Sequence, residues 1–440
     1  MHARRFVLGL ALASACVALD RAATGPTLAV SGRANANVTL TAAGSFVVAV
    51  WSGSLPSGET DIYASVSGNG GTTFSAPVRV NTTPGDARVN GEQPPRATLA
   101  PRAGSTPVVT VVWTSRGEKG TRILTARSQD GGRTFSKTAL IPGGEGPGNR
   151  GWENVATDSS GQTRVVWLDH REMVRDTAKP AMEHNHAGHD ASPESKRDGA
   201  AMAQASKLYF ATIGDPFSPR YLTGGVCYCC KTAMTIGPDS SVYLAWRHVY
   251  PGNFRDMAFA MSRDGGRTFS KPLRVSEDRW QIEGCPEDGP SIARAADGRL
   301  HIVWPTLVTG EAPGAAPTIG IFHATSRDGL SFSERARIPT EGTPHHPQLA
   351  IATNGALALA WDELAGGRRR AVLAVGSVAS DGRAAFTRQT LSGDEPGLYP
   401  VVAPVPNGLV TAWTSTGVSP TVIRVERKPL NASPARGASQ

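Results

Sequence analysis

Short apolar runs that end in tryptophan recur along this chain. Residues 46–51 (FVVAVW) are the first. Val111-Val112-Trp113, Val165-Val166-Trp167, Leu244-Ala245-Trp246, Ile302-Val303-Trp304, Leu359-Ala360-Trp361 and Thr411-Ala412-Trp413 follow. Seven of the nine tryptophans end such a run, and their spacing of about 50 to 80 residues marks a repeated supersecondary unit. Behind each tryptophan lies a second run with apolar and polar residues alternating, at 61–67, 121–128, 207–213, 256–262, 319–326, 371–377 and 421–427. Period-two alternation sends successive side chains to opposite faces, which predicts strands. Most are followed by a glycine turn and one more short run. Four short strands in about 50 to 60 residues make a blade of a β-propeller. The chain is therefore predicted to be all-β, with seven four-stranded blades; six is the alternative. The last unit has three runs, at 401–405, 409–415 and 421–427. Residues 27–31 (TLAVS) would add the fourth and close the ring, removing its open edges.

The glycine turns carry a motif of their own. Ser67-x-Asn69-x-Gly71-x-Thr73-Phe74, Ser128-x-Asp130-x-Gly132-x-Thr134-Phe135 and Ser262-x-Asp264-x-Gly266-x-Thr268-Phe269 share one pattern, and Ser326-x-Asp328-Gly329-x-Ser331-Phe332 is one residue shorter. The carboxylate or amide can accept from nearby backbone N–H groups, and glycine supplies positive φ. These turns resemble the Asp boxes of the sialidase (neuraminidase) superfamily, and the resemblance spans residues 27–427. It implies that Asn69, Asp130, Asp264 and Asp328 are structural, in turns between third and fourth strands, away from the usual active face. It also implies six blades, whereas seven tryptophan runs point to seven. One propeller domain over 27–427 is expected, with an insertion at 172–205 and a disordered tail at 428–440.

Composition narrows the class. Gly (49) and Pro (32) are abundant among 440 residues, charged residues are 19% and apolar residues 40%. That apolar content argues against a disordered chain, and so much Gly and Pro argues against a coiled coil. The net charge of +8 is spread out, with no basic block beyond Arg368-Arg369-Arg370, so no nucleic-acid partner is expected. Residues 1–23 read as a signal peptide, basic and then apolar. Cleavage before Cys16 would give a lipoprotein; otherwise a soluble exported protein results. Periplasmic or lipid-anchored placement in a bacterium is expected, with contact to membrane only through that anchor.

Propeller geometry brings the residues ahead of each innermost strand onto one central face. Cys227, Cys229 and Cys230 arrive there, with Cys285 ahead of the next blade. His345, His346 and His248 are placed nearby, and the insertion adds His184, His186 and His189. Thiolates and imidazoles together suit copper or zinc. The first expectation is thus a metal-binding propeller, copper favoured, for metal handling or redox chemistry. Two disulfides are the competing expectation for the four cysteines. The superfamily resemblance implies a glycan ligand instead, with three arginines clamping a carboxylate and a tyrosine nucleophile activated by glutamate. Its early Arg-Ile-Pro motif is missing, and Arg337-Ile338-Pro339 stands in an outer strand. Tyr399, Glu153 and Arg247 are the candidates for a hydrolase. A protein partner on the central face is the third expectation.

Overall fold

The computed structural model describes residues 25–173, 193–282, 284, 286–308, 316–379 and 383–430. They form seven four-stranded antiparallel sheets, each a blade, arranged as a propeller. The first strands of the blades are Ala34–Ala43, Arg96–Ala100, Arg150–Thr157, Ala233–Ile236, Ser291–Arg294, Thr343–Ile351 and Gly397–Val405. Each packs on the first strands of the blades beside it, which places all seven around the axis. Blade 7 takes its fourth strand from the other end of the chain. Thr27 pairs with Arg424 and Leu28 with Ile423, so the ring closes by hydrogen bonds between distant segments. No helix among the described residues is long and apolar enough to cross a membrane.

The tryptophan runs became the second strands. Trp51, Trp113, Trp167, Trp246, Trp304, Trp361 and Trp413 are each at most 1% exposed. They lie in the packing between blades: Trp51 meets Val405, Val410 and Ile423 of blade 7, and Trp304 meets Met257 and Phe259 of blade 4. Truncating one such ring costs about 3–5 kcal/mol. Several indole N–H groups bond a polar side chain two residues on. Trp167 donates to Asp169 (3.1 Å), Trp246 to His248 (3.3 Å) and Trp361 to Glu363 (2.9 Å).

Each box turn ties one blade to the one before it. In the second, Ser128 Oγ accepts from Gly132 N (2.7 Å) and donates to Asp130 Oδ1 (2.7 Å), while Thr134 N and Oγ1 donate to the same carboxylate. The hydroxyl of Thr134, then that of Ser128, hold Asp130 well below the usual carboxylate range. Gly132 has φ of 88°, and a Cβ there would lie 2.6 Å from Val66 of blade 1. Phe269 packs edge-on against Phe210 of blade 3, and Phe332 against Phe259 of blade 4. Asn69, Asp264 and Asp328 accept in the same way.

Four first strands carry a bulge at one position, near the axis. The register shifts between Ala36 and Thr39, Gly151 and Asn154, His345 and Gln348, and Leu398 and Val401. Within them Asn37, Trp152, His346 and Tyr399 hold positive φ of 59°, 52°, 56° and 49°. Non-glycine residues in this region store strain, and bulges re-aim side chains, here toward the axis.

Candidate functional site

The axis is bridged by a buried polar contact. Glu92, ahead of the first strand of blade 2, reaches blades 4 and 5: its Oε2 accepts from Lys231 N (3.1 Å) and Gly289 N (3.0 Å). Its Oε1 lies 3.4 Å from Lys231 Nζ, and that ammonium donates to Pro347 O (3.2 Å) of blade 6. Both side chains are nearly sealed from water, at 5% and 2% exposure. Gly289 has no alternative, since a Cβ would strike Lys231 O. Buried charges of this kind persist only when paired.

Beside this bridge stand two imidazoles, each held by a buried carboxylate. His345 Nδ1 lies 2.6 Å from Asp288 Oδ2, and His346 Nδ1 lies 2.7 Å from Asp362 Oδ1. A carboxylate only accepts, so both Nδ1 atoms carry hydrogen and each Nε2 is the nitrogen left for other chemistry. Neither Nε2 has a hydrogen-bond partner among the described residues. The carboxylates are themselves fixed. Asp288 Oδ1 accepts from His346 N (2.9 Å), and Asp362 Oδ2 accepts from Arg369 (2.9 Å). Burial pulls the His346 proton affinity down, but the charges of Asp362 and Asp288 more than reverse it, so the ring holds its proton above the ordinary histidine range. Burial would raise Asp288, yet the bond from His345 and the charge of His346 bring it below the usual range.

His346 borders a small pocket with Asn37, Thr39, Gly91, Gln348 and Tyr399, drawn from blades 1, 2, 6 and 7. Tyr399 packs its ring on His346, 4.3 Å between centroids, and rests on Gly91, where a Cβ would overlap the phenol. Burial first, then the carboxylates of Asp362 and Glu92, push the Tyr399 hydroxyl up, so it stays protonated. Glu153 stands elsewhere on the axis wall. It accepts from Thr114 Oγ1 (2.8 Å), faces Arg96, and burial pushes it up to about 7. Tyr399 and Glu153 do not hydrogen-bond each other. Arg247 is 1% exposed, and its guanidinium donates to the carbonyls of Asp288, Pro305 and Arg255. It holds the backbone of the residue that orients His345.

The sulfurs form a separate centre. Sγ of Cys227, Cys229 and Cys230 lie within 4.8 Å of one another, and among the described residues no histidine joins them. Cys229 is disulfide-bonded, while Cys227 and Cys230 are free thiols 3.0 Å apart. Burial would raise Cys227, but hydrogen bonding with Cys230 and the guanidinium charges of Arg255 and Arg247 bring it down to about 6; burial and the Cys227 thiolate drive Cys230 well up. His248 is next to this segment in the sheet, opposite Val226, but its Nδ1 accepts from Trp246 and burial lowers it to about 4. Helix Pro193–Ala205, from the insertion, reaches the centre through Gly199 O, which accepts from Arg255. Cys16, Cys285, His184, His186 and His189 lie outside the described residues.

Sequence reasoning missed Asp288, Lys231, Asn37 and Gln348. Asp288 and Lys231 have no repeat partner to flag them. Asn37, Trp152, His346 and Tyr399 did leave a signal: each stands about 14 to 15 residues ahead of its blade's tryptophan, an offset that only the repeat frame reveals.

No protein-family model matches the chain, and no curated protein matches it. Solved structures resemble it at the level of fold. An ulvan lyase, from a family of polysaccharide lyases and bound to a glucuronate–rhamnose sulfate ligand, superposes with a TM-score of 0.54 at 11% identity, over 93% of this chain and 94% of that one. An α-L-arabinofuranosidase of Fusarium graminearum gives 0.47 at 12% identity, over 92% and 98%. An intramolecular trans-sialidase of Ruminococcus gnavus gives 0.46 at 11%, over 79% and 96%. What the chain shares with the ulvan lyase is the fold, and the Cys-x-Cys-Cys segment is a distinctive feature of this chain.

Proposed function

We propose that this is an exported propeller that performs acid–base chemistry on an acidic glycan at the axial pocket. One observation carries the reading: His345 and His346 are adjacent, each oriented through Nδ1 by a buried carboxylate, with both Nε2 atoms unpartnered. Imidazoles held in this way are general acids and bases in need of a substrate. Elimination suits the groups better than hydrolysis. Hydrolysis by paired carboxylates requires two free acids across the bond, and here Asp288 and Asp362 are committed to the imidazoles. A protonated Tyr399 is a poor nucleophile, and although burial makes it a weaker acid, it still carries a proton for a strongly basic departing alkoxide. In the proposed reaction His345, the more exposed ring, takes the proton beside a uronate carboxylate. The His346 charge steadies the negative charge that develops, Gln348 meets the carboxylate, and Tyr399 protonates the leaving oxygen. The glucuronate-containing ligand of the ulvan lyase is the compound class with which to begin. Products from a panel of acidic polysaccharides test the reading. Unsaturated uronate ends are expected, with His346→Gln slowing their release by about 100-fold or more. Saturated new ends would mean hydrolysis, and no product from any member would remove the catalytic reading.

The paired thiols favour a second reading. Two free sulfurs 3.0 Å apart, those of Cys227 and Cys230, beside a buried guanidinium would accept a soft ion, copper(I) before zinc(II). Metal analysis of protein prepared without chelator decides it. About one ion per chain, lost in Cys227→Ser, supports this use; metal-free protein with both thiols reactive counts against it.

A further inference from the structure

A groove runs along the outer wall between blades 3 and 4. One side is strand Arg220–Gly224, the outer strand of blade 3. The other is residues 267–272, which complete the box turn of blade 4 and lead into its outer strand, Leu273–Arg274. Leu222, Trp246 and Phe269 form an apolar floor. Arg220 stands on one side and Arg267 and Lys271 on the other, all three exposed. Arg220 is pinned by its Nε, which donates to Gly266 O (3.1 Å). Its terminal nitrogens, and the charged groups of Arg267 and Lys271, have no partner among the described residues. No acidic residue lines the groove.

Blade 2 shows why these cations stand beside a gap. Its turn also carries two, Arg133 and Lys137. The next residue, Thr138, is tied to Thr82, just after the outer strand of blade 1. Each backbone N donates to the other's Oγ1 (3.0 Å), and the hydroxyls bond at 3.1 Å. In blade 4 the same position is Pro272, which has neither an N–H nor a hydroxyl for such a tie. Blade 1 has Thr72 and Ala76, and blade 5 has Leu330 and Glu334, in place of Arg267 and Lys271. The pair of cations beside a proline therefore belongs to the turn of blade 4 alone. The volume, about 270 Å³, is at the low end for small-molecule sites and suits about one or two sugar rings, not a folded protein.

We propose that this groove binds a stretch of acidic polysaccharide, apart from the axial pocket. The choice of an acidic glycan rests on the reading given above for His345 and His346. Charge complementarity supports it: cations on both sides, free of carboxylates, can meet acidic groups spaced along a chain by charge-assisted hydrogen bonds. The floor accepts the apolar face of a sugar ring, releasing water from both. The strand that forms one side continues through Val226, which pairs with His248, to Cys227 on the central face. A polymer held here raises the local concentration of its remaining length near that face.

The probe is a polymer of alternating glucuronate and rhamnose sulfate, the ligand class of the ulvan lyase. Binding is followed by titration calorimetry in a His346→Gln background, so that the polymer is not cut. Arg267→Glu with Lys271→Glu should weaken it by about 10-fold or more at low salt. In wild type the polymer should shield Lys271 from acetylation, as read by peptide mass spectrometry, and a neutral dextran should not. A double variant that binds as tightly as its parent would overturn the proposal. So would a wild-type Lys271 acetylated equally fast with and without the polymer, without reference to how any variant folds. Equal shielding by polyglutamate would overturn the glycan in favour of an acidic peptide. Failure of the axial reading looks different: no unsaturated ends from any polymer, with Lys271 still shielded.

Discussion

The rim turns and the central face are built on different terms. Each box turn closes on itself within eight residues: Ser128, Asp130, Gly132 and Thr134 satisfy one another, and Phe135 and Gly132 look outward to the blade before. The central face is the reverse. Glu92, Lys231, Asp288, His346 and Tyr399 come from five blades, and each is held by a residue far along the chain. Repetition stabilises the rim, and it leaves the centre free to differ from blade to blade. Bulges and left-handed residues concentrate where the chemistry is proposed, at His346 and Tyr399, with the rest of the ring holding them.

The contrast predicts unequal responses to substitution. The largest loss belongs to the axial bridge. Lys231→Ala leaves Glu92 buried without its partner, and a stability loss of about 3–5 kcal/mol is expected in chemical denaturation. Equal stability would mean that the bridge is dispensable and the blades hold the axis alone. A rim change should cost less and stay local. Gly132→Ala forces a Cβ toward Val66 at φ of 88°, for about 1–3 kcal/mol, and the matching change at Gly71 should add to it almost independently. The smallest effect is a pH slope. Glu153 is pushed up to about 7, so its share of stability is present below about pH 4.5 and lost as pH rises toward 7. Glu153→Gln should flatten that part of the profile, by about 2–4 °C in Tm between pH 5 and 7.5. An unchanged slope would place the titration elsewhere.

The same contrast explains what was legible in the sequence. The seven tryptophan strands, the box turns and the closing role of residues 27–31 were readable because each depends on neighbours in sequence or on the repeat. The pairing of His345 with Asp288 was not, since no local pattern ties residues from different blades. His248, expected from sequence to be near the cysteines as a ligand, instead accepts from the indole N–H of Trp246, as Asp169 and Glu363 do from Trp167 and Trp361, a use that composition cannot reveal. The cysteine segment was visible as unusual. That Cys229 differs in bonding from Cys227 and Cys230 required coordinates, as did the separation of all three from His345 and His346.

Nitrogen NMR of the protein labelled at histidine tests the central claim most directly. Both His345 and His346 should carry hydrogen on Nδ1, with His346 keeping its second proton above the ordinary histidine range. A glucuronate-containing oligosaccharide should shift the Nε2 signals of these two residues and leave those of His301 and His323, buried together in blade 5, unmoved. Nε2 signals that ignore every acidic glycan, or that show the opposite tautomer, would contradict the proposed site.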